Sequence, residues 1–231
     1  TGSATGWNTQ LVADVSYEIE DTSLAFDSQE NPHIAFYNHT NRKLLYAYHD
    51  GTSWNTETVH NASDTGAFPS IALDSNDHPH IAWRDYGAQS VMYGYHDGAS
   101  WHIETVSSGS WPRYTSLALD SQDRPHISYF TDVDGGSYSD SVIYAWHDGT
   151  SWHTEKVDGS IANANSSMFT AITIDALDQP HIAYSNGFDR VTKYAWKDST
   201  WHLDVVYNDG QMYGEIDLDL DSSGNPHIVQ R

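Results

Sequence analysis

Cysteine is absent from this 231-residue chain, so disulfides contribute nothing to its stability and the redox compartment is not readable from them. Cations are scarce: Lys and Arg total 10 against 32 Asp and Glu, a formal charge of −22. Nucleic-acid affinity draws on clustered Lys and Arg that neutralise phosphates, so no nucleic-acid partner is expected. An anionic membrane surface would repel the chain for the same reason. No apolar run approaches the ~20 residues that a membrane helix needs, and no membrane insertion is expected. The chain starts at Thr1 without an initiator Met or signal sequence, which reads as a mature N-terminus or as the cut end of a longer protein. Sustained helical periodicity is missing too, which leaves an all-β chain.

What the chain has instead is repetition. Its clearest copy runs from Ser70 to Val106. A Pro-His-Ile core places histidines at His33, His80, His126, His181 and His227. A tryptophan follows each Asp-Gly-like turn, at Trp7, Trp54, Trp101, Trp152 and Trp201, in steps of 47, 47, 51 and 49 residues. A fixed period of this length is the mark of a repeat architecture. The units are residues 23–59, 70–106, 116–157, 171–206, and 217–231 taken together with 7–12, all within one domain spanning 1–231.

Each unit contains four short segments with two-residue alternation, the strand period. In the second unit they are Ser70–Asp74, His80–Arg84, Val91–His96 and Trp101–Val106. A polar D-S-x-x-x-P cluster separates the first two, and an H-D-G-x-S hairpin signal separates the last two. Along the first segment bulky residues (Leu24 and Phe26, Ile71 and Leu73, Leu117 and Leu119) alternate with small ones. A sheet bulky on one face and small on the other nests against a copy of itself. Radial stacking of four-stranded antiparallel sheets is the β-propeller solution, and five units predict five blades. The N-terminal segment matches a fourth strand and would close the last blade, which lacks its third strand.

Loop lengths distinguish the two ends of such a ring. The turns between first and second strands keep one length in all five copies, from Asp27 to His33 through Asp221 to His227. The other end carries loops that differ every time, and binding residues tend to sit on loops held by a rigid scaffold. That end supplies Phe68, Arg84, Tyr86, Trp111, Arg113, Tyr114, Phe169, Arg190 and Tyr213 as candidate ligand contacts. Aromatic plates with planar hydrogen-bonding groups suit sugars, whose C–H faces stack while hydroxyls pair with Asp, Asn or Arg. Trp111 stands outside the repeated pattern and is the leading candidate, with loop packing as its alternative role.

The five equivalent histidines invite a metal reading, but spread one per blade they are expected to be buried between blades and bonded to backbone. Asp132, Asp134 and Asp140 give an Asp- and Gly-rich loop with calcium-site character, without the full spacing or a distal Glu. Calcium there is the one cofactor to consider; a solvated insertion is the alternative. The turn aspartates are equivalent in every copy, whereas glycosidases need two carboxylates in different surroundings. No G-x-S-x-G, H-E-x-x-H or phosphate-cradling loop is present, and no catalytic residue is assigned. Glycosylation sequons occur at Asn38, Asn61 and Asn165, all expected on the variable face.

The P-H-I-A-Y/F/W core with its H-D-G-T-S-W turn resembles β-propeller repeats of secreted or surface-attached microbial proteins, over nearly the whole chain. The D-G-x-S-W turn is similar to a shortened Asp-box of sialidase-type propellers. Five repeats of about 47 residues also resemble tachylectin-2-like five-bladed lectins, in size and period only, so no site residue carries over. The resemblance implies a secreted or cell-surface recognition module with glycans or cell-surface polysaccharide as partners. A structural or protein-interaction propeller is the first alternative and part of a polysaccharide-active enzyme the second.

Overall fold

The computed structural model describes residues 6, 9–13, 18–109, 111–132, 140–159, 169–186, 190–208 and 214–230. These hold eighteen strands in five antiparallel sheets and no helix. The first sheet comprises β1 (Ile19–Phe26), β2 (Pro32–Asn38), β3 (Lys43–His49) and β4 (Trp54–His60). The second comprises β5 (Thr65–Leu73), β6 (Pro79–Asp85), β7 (Ser90–His96) and β8 (Trp101–Ser108). The third is β9 (Arg113–Leu119), β10 (Pro125–Asp132), β11 (Asp140–His147) and β12 (Trp152–Asp158). The fourth is β13 (Thr170–Ile174), β14 (Pro180–Asn186), β15 (Val191–Lys197) and β16 (Trp201–Tyr207). The fifth has β17 (Ile216–Leu220) and β18 (Pro226–Gln230).

Local chemistry sets the hairpins. In the first turn of the second sheet, Asp74 Oδ1 accepts the amides of Asn76 and His78 at 2.8 Å each. One residue of this turn takes a left-handed backbone, as at Glu30, Asp77, Asp123 and Asp178, with φ between 60° and 65°. Glycine occupies that place in the fifth sheet, where Gly224 has φ 79°. In the last hairpin, glycine supplies the positive φ directly, 88° at both Gly51 and Gly98.

The sheets stack bulky face to small face. Ile71, Ile81 and Trp83 of the second sheet pack on Ala35, Leu44 and Tyr46 of the first. Leu117 and Ile127 repeat this on Ala82 and Tyr93, Ile172 and Ile182 on Val142 and Tyr144, and Leu218 on Ala171 and Ala183. Ile81, Ile127 and Ile182 are fully enclosed, each stabilising the stack by about 1.5–3 kcal/mol. Where no described strand covers them, the same positions are open: Leu24 is 55% exposed against 7% for Ile71, and Val206 is 50% exposed against 6% for Val59.

Polar clamps fix the register between neighbouring sheets. Ser23, Ser70 and Ser116 Oγ accept the amides of Ile71, Leu117 and Ile172 at 3.0–3.1 Å. Ser28, Ser75 and Ser121 donate through N–H and Oγ to Asp77, Asp123 and Asp178 at 2.6–3.0 Å. On the outer strands, Trp101, Trp152 and Trp201 donate Nε1–H to Glu57, Glu104 and Glu155 at 2.7–3.1 Å. Trp54 makes the same bond to Gln10 at 2.9 Å. The N-terminal segment thus lies where a preceding fourth strand would lie. The expected strand over 7–12 does not form among its described residues 9–12, because they have no described third strand to pair with; Trp7 falls outside the described residues.

The core histidines need a correction: their partners are side chains, not backbone. Tyr46, Tyr93 and Tyr144 meet His33, His80 and His126 Nδ1 at 2.5 Å, and Tyr194 meets His181 in the same way. The opposite nitrogen faces the turn carboxylate of Asp27, Asp74, Asp120 or Asp175 at 3.3–3.7 Å. Burial raises these phenols, Tyr194 to about 12, so each keeps its proton and donates it to Nδ1. The backbone cannot serve because its groups are consumed by the sheet ladders. His227 differs: its side chain is 70% exposed and keeps only its 3.6 Å contact with Asp221.

This linked set of groups should be visible in the stability of the chain. Tyr93→Phe leaves buried His80 Nδ1 without a donor and should lower the urea-unfolding free energy by about 1–3 kcal/mol. His33, His80 and His126 are held below their ordinary value by burial, against the pull of the facing carboxylates. The folded chain therefore binds these protons less readily than the unfolded one. Their contribution is complete above about pH 6.5 and is lost as pH falls through the lowered folded values. Urea midpoints should drop between about pH 7 and pH 5; a flat profile would contradict the buried neutral state.

Candidate ligand-binding face

Five equivalent positions converge at the variable end of the stack. Asp21, Phe68, Tyr114, Phe169 and Glu215 each precede the turn aspartate of their sheet by six residues. Together with Thr22, Pro69, Thr115 and Thr170 they line one cavity of about 390 Å³. Bulges steer the chain inward there, with register shifts at Glu20/Thr22 in β1, at Thr65/Ala67 and Ala67/Ser70 in β5, and opposite Ser128/Phe130 in β9. Asp21, Phe68 and Tyr114 adopt φ of 45°, 52° and 51°. Bulky residues at positive φ are strained, and such strain gathers at functional sites.

The rings of Phe68, Tyr114 and Phe169 form a continuous array, with centroids 4.5 and 4.3 Å apart. Asp21 Oδ2 accepts the Phe68 amide at 3.1 Å, and Thr115 Oγ1 donates to the Phe68 carbonyl at 2.5 Å. Burial holds the Asp21 carboxyl above its usual value despite that amide, and the nearby Glu20 and Glu215 add to the rise. One cavity thus presents an aromatic floor together with the carboxylates of Asp21 and Glu215.

A second cluster flanks the cavity. Arg84 pairs across the sheet with Ala67, next to Phe68. Its guanidinium carbon lies 3.9 Å from the Tyr86 ring centroid and 6.0 Å from that of Trp111. Trp111 is half exposed, with φ 40°. Burial lowers the Arg84 pKa, the Tyr86, Asp64 and Tyr114 oxygens oppose that, and the Arg113 charge adds to it. Arg84, Tyr86, Trp111, Arg113 and Tyr114, expected on one face from loop variation, are therefore brought together.

Other expected residues fall elsewhere. Arg190, with φ 56°, leads into β15 in the fourth sheet, two sheets from Arg84. Tyr213 and Asp134 lie outside the described residues. Asp132 and Asp140 are paired in register at the ends of β10 and β11, and the loop 133–139 between them is outside the description as well. Asn38, expected as a surface sequon, is instead buried, and its side chain accepts the Asn41 amide at 3.0 Å to close the hairpin. Asp21 and Glu215 escape a reading of the sequence alone, although their fixed distance from the turn aspartate is the signal that finds them.

A smaller cavity of about 230 Å³ lies at the constant end between the second and third sheets, lined by Tyr95, Glu104, Arg124 and Gly149 among others. At the first interface His78 extends toward Gly98. Arg124 in the same place folds back onto Asp120 at 2.6 Å and leaves room. Among the described residues, one exposed group (Glu18, Glu20 and His39) places metal-type ligand atoms near one another. No helix among them is long and apolar enough to cross a membrane.

No known family profile matches the chain, and no curated protein matches it in sequence. Solved structures do match in fold. One is a mutant of the Aleuria aurantia lectin in complex with Fucα1-6GlcNAc: TM-score 0.64, 12% identity, covering 91% of this chain and 71% of the lectin. A second structure of that lectin is described as a six-bladed β-propeller. Another match is the Penicillium chrysogenum α-L-arabinanase complexed with arabinobiose: TM-score 0.64, 11% identity, covering 93% of this chain and 76% of that one. A protein of unknown function from Dyadobacter fermentans gives TM-score 0.62 at 11% identity over 95% and 77%. At such identities the likeness establishes a propeller-type all-β fold and nothing finer.

The raised Asp21 carboxyl yields a signed prediction. A group whose folded pKa exceeds its unfolded one contributes stability below the unfolded value, lost as pH rises through the folded value. Asp21→Asn keeps an acceptor for the Phe68 amide and removes the charge. It should therefore stabilise the chain at about pH 7 relative to wild type, with the gain shrinking toward about pH 3, as read by urea midpoints at both.

Proposed function

We propose that this chain is a non-enzymatic extracellular recognition module that binds carbohydrate on its variable face. The observation that carries this reading is the Phe68–Tyr114–Phe169 array beneath one cavity, with Trp111 half exposed on its flank. Such rings take the C–H face of a sugar, while Asp21, Thr115 and Arg84 supply hydrogen-bonding groups around them. The fold likeness to a lectin bound to a fucosylated glycan and to an arabinanase bound to arabinobiose supports the carbohydrate part of the reading by analogy. Five equivalent residues around a single cavity support five blades about one axis. Because the flanking residues are not repeated, the site is a single composite one and not a ring of equivalent sites.

A glycan array followed by titration tests this directly. Tyr114→Ala and Trp111→Ala should each weaken the best ligand about tenfold, the equivalent of ~1.4 kcal/mol. A blank array on folded protein would end the carbohydrate reading.

One observation favours a second reading, a polysaccharide-active enzyme. Asp21 and Glu215 line the same cavity, and burial holds the Asp21 carboxyl above its usual value, as a general acid requires. Release of reducing ends that Asp21→Asn abolishes would replace the lectin reading with this one.

A further inference from the structure

Arg84 is a buried cation with no hydrogen-bond acceptor among the described residues. The residue is 5% exposed and its Nε is wholly enclosed and unbonded. An arginine keeps its charge in proteins, and an uncompensated buried charge is strongly unfavourable. The chain does not lack acids to neutralise it, with 32 Asp and Glu in all. Those close by are committed elsewhere. Asp64 is held by Arg42 at 3.2 Å and by the Tyr37 hydroxyl at 3.3 Å. Asp85 Oδ1 accepts the Ala88 amide at 2.7 Å. Other cations are paired in the ordinary way, Arg124 with Asp120, Lys193 with Asp158 and Lys197 with Glu155.

The repeat does not require an arginine there either. Tyr37, Phe130 and Ser185 occupy the equivalent position of the other full sheets. Arg84 is thus a departure from the pattern at the face where the pattern is free to vary. Tyr86 lies against the guanidinium, Trp111 stands beyond it, and Arg113 brings a second positive charge close by. A guanidinium held over a ring, with its Nε enclosed, keeps its terminal N–H groups for a planar or tetrahedral oxyanion.

We infer that Arg84, assisted by Arg113, forms an anion subsite for the carboxylate or sulfate group of an acidic sugar whose ring stacks on Trp111. The inference rests on the carbohydrate reading of this face and names the ligand class: uronate-bearing or sulfated glycans in preference to neutral ones. The chain's overall negative charge repels such ligands at long range. Recognition therefore depends on this local pair of arginines and weakens as salt screens it.

The test compares binding of a glucuronate/N-acetylglucosamine tetrasaccharide with its carboxyl-reduced form, and of a sulfated neutral tetrasaccharide with its desulfated form. Wild type should lose at least about tenfold when the acidic group is removed from the preferred pair, ~1.4 kcal/mol; which pair responds separates carboxylate from sulfate. Arg84→Gln should bind the acidic and neutral forms alike, Arg113→Gln should reduce the difference, and Arg84→Lys should restore it only in part. Equal wild-type affinity for the acidic and neutral forms of both pairs overturns the proposal. Arg84→Met should raise Tm by roughly 2–4 °C, since it removes an unpaired buried charge; a fall in Tm would make Arg84 a structural residue and also overturn it. If no oligosaccharide binds, the carbohydrate reading fails, and inorganic sulfate decides the anion subsite by itself. At constant ionic strength the terminal (Nη) guanidinium N–H resonances of Arg84 should shift saturably with sulfate in wild type. No shift refutes the subsite.

Discussion

A sheet with large side chains on one face and small ones on the other can be buried well only by another sheet of the same kind, turned the same way. That constraint governs this protein. Ile81 needs the surface made by Ala35 and Tyr46, Ile127 needs Ala82 and Tyr93, and Ile182 needs Val142 and Tyr144. Each contact orients the next sheet for the same contact again. The serine, tryptophan and aspartate clamps add direction to a force that has none of its own. Ser70 must reach the Leu117 amide and Trp152 must reach Glu104, so sliding or tilting one sheet on another would break several hydrogen bonds together. The buried histidine–tyrosine pairs serve the same end within each of the four full sheets, tying second strand to third and the first turn to both.

Such a scaffold divides its residues into two populations. Positions that face a neighbouring sheet answer to packing and recur from copy to copy. Positions at the variable end answer to little, and there the copies diverge. The unusual features of the chain gather at that end: bulky residues at positive φ, an acid shifted upward by burial, an aromatic array, and an arginine whose buried Nε has no acceptor. Each is unfavourable or indifferent for folding taken alone. Their concentration on one face, around one cavity and its rim, is the physical basis for placing ligand recognition there.

Much of the fold is legible in the sequence because strand alternation and turn chemistry are local. The expected Val91–His96 and Trp101–Val106 lie within β7 and β8, and the Asp-Gly turns close their hairpins. The first strand of the second unit, expected from Ser70, begins at Thr65, because pairing resumes beyond a bulge that alternation does not report. The histidine partners are hidden for a related reason: Tyr93 is 13 residues from His80 but Tyr144 is 18 from His126, so no fixed spacing links them. The aromatic and basic members of the site are recognisable as departures from the repeat. What no sequence reading could supply is the unbonded state of the Arg84 Nε, since a chain so rich in acids would be expected to neutralise every arginine it buries.

The most direct measurement is a crystal structure of the chain with an acidic tetrasaccharide bound. A sugar ring should lie against Trp111, its carboxylate or sulfate within hydrogen-bonding distance of Arg84, and the remaining rings should be directed toward Tyr114 and Phe169. An oligosaccharide seated instead in the cavity between the second and third sheets, beside Tyr95, Glu104 and Arg124, would contradict that placement. So would one that left the Arg84 guanidinium untouched.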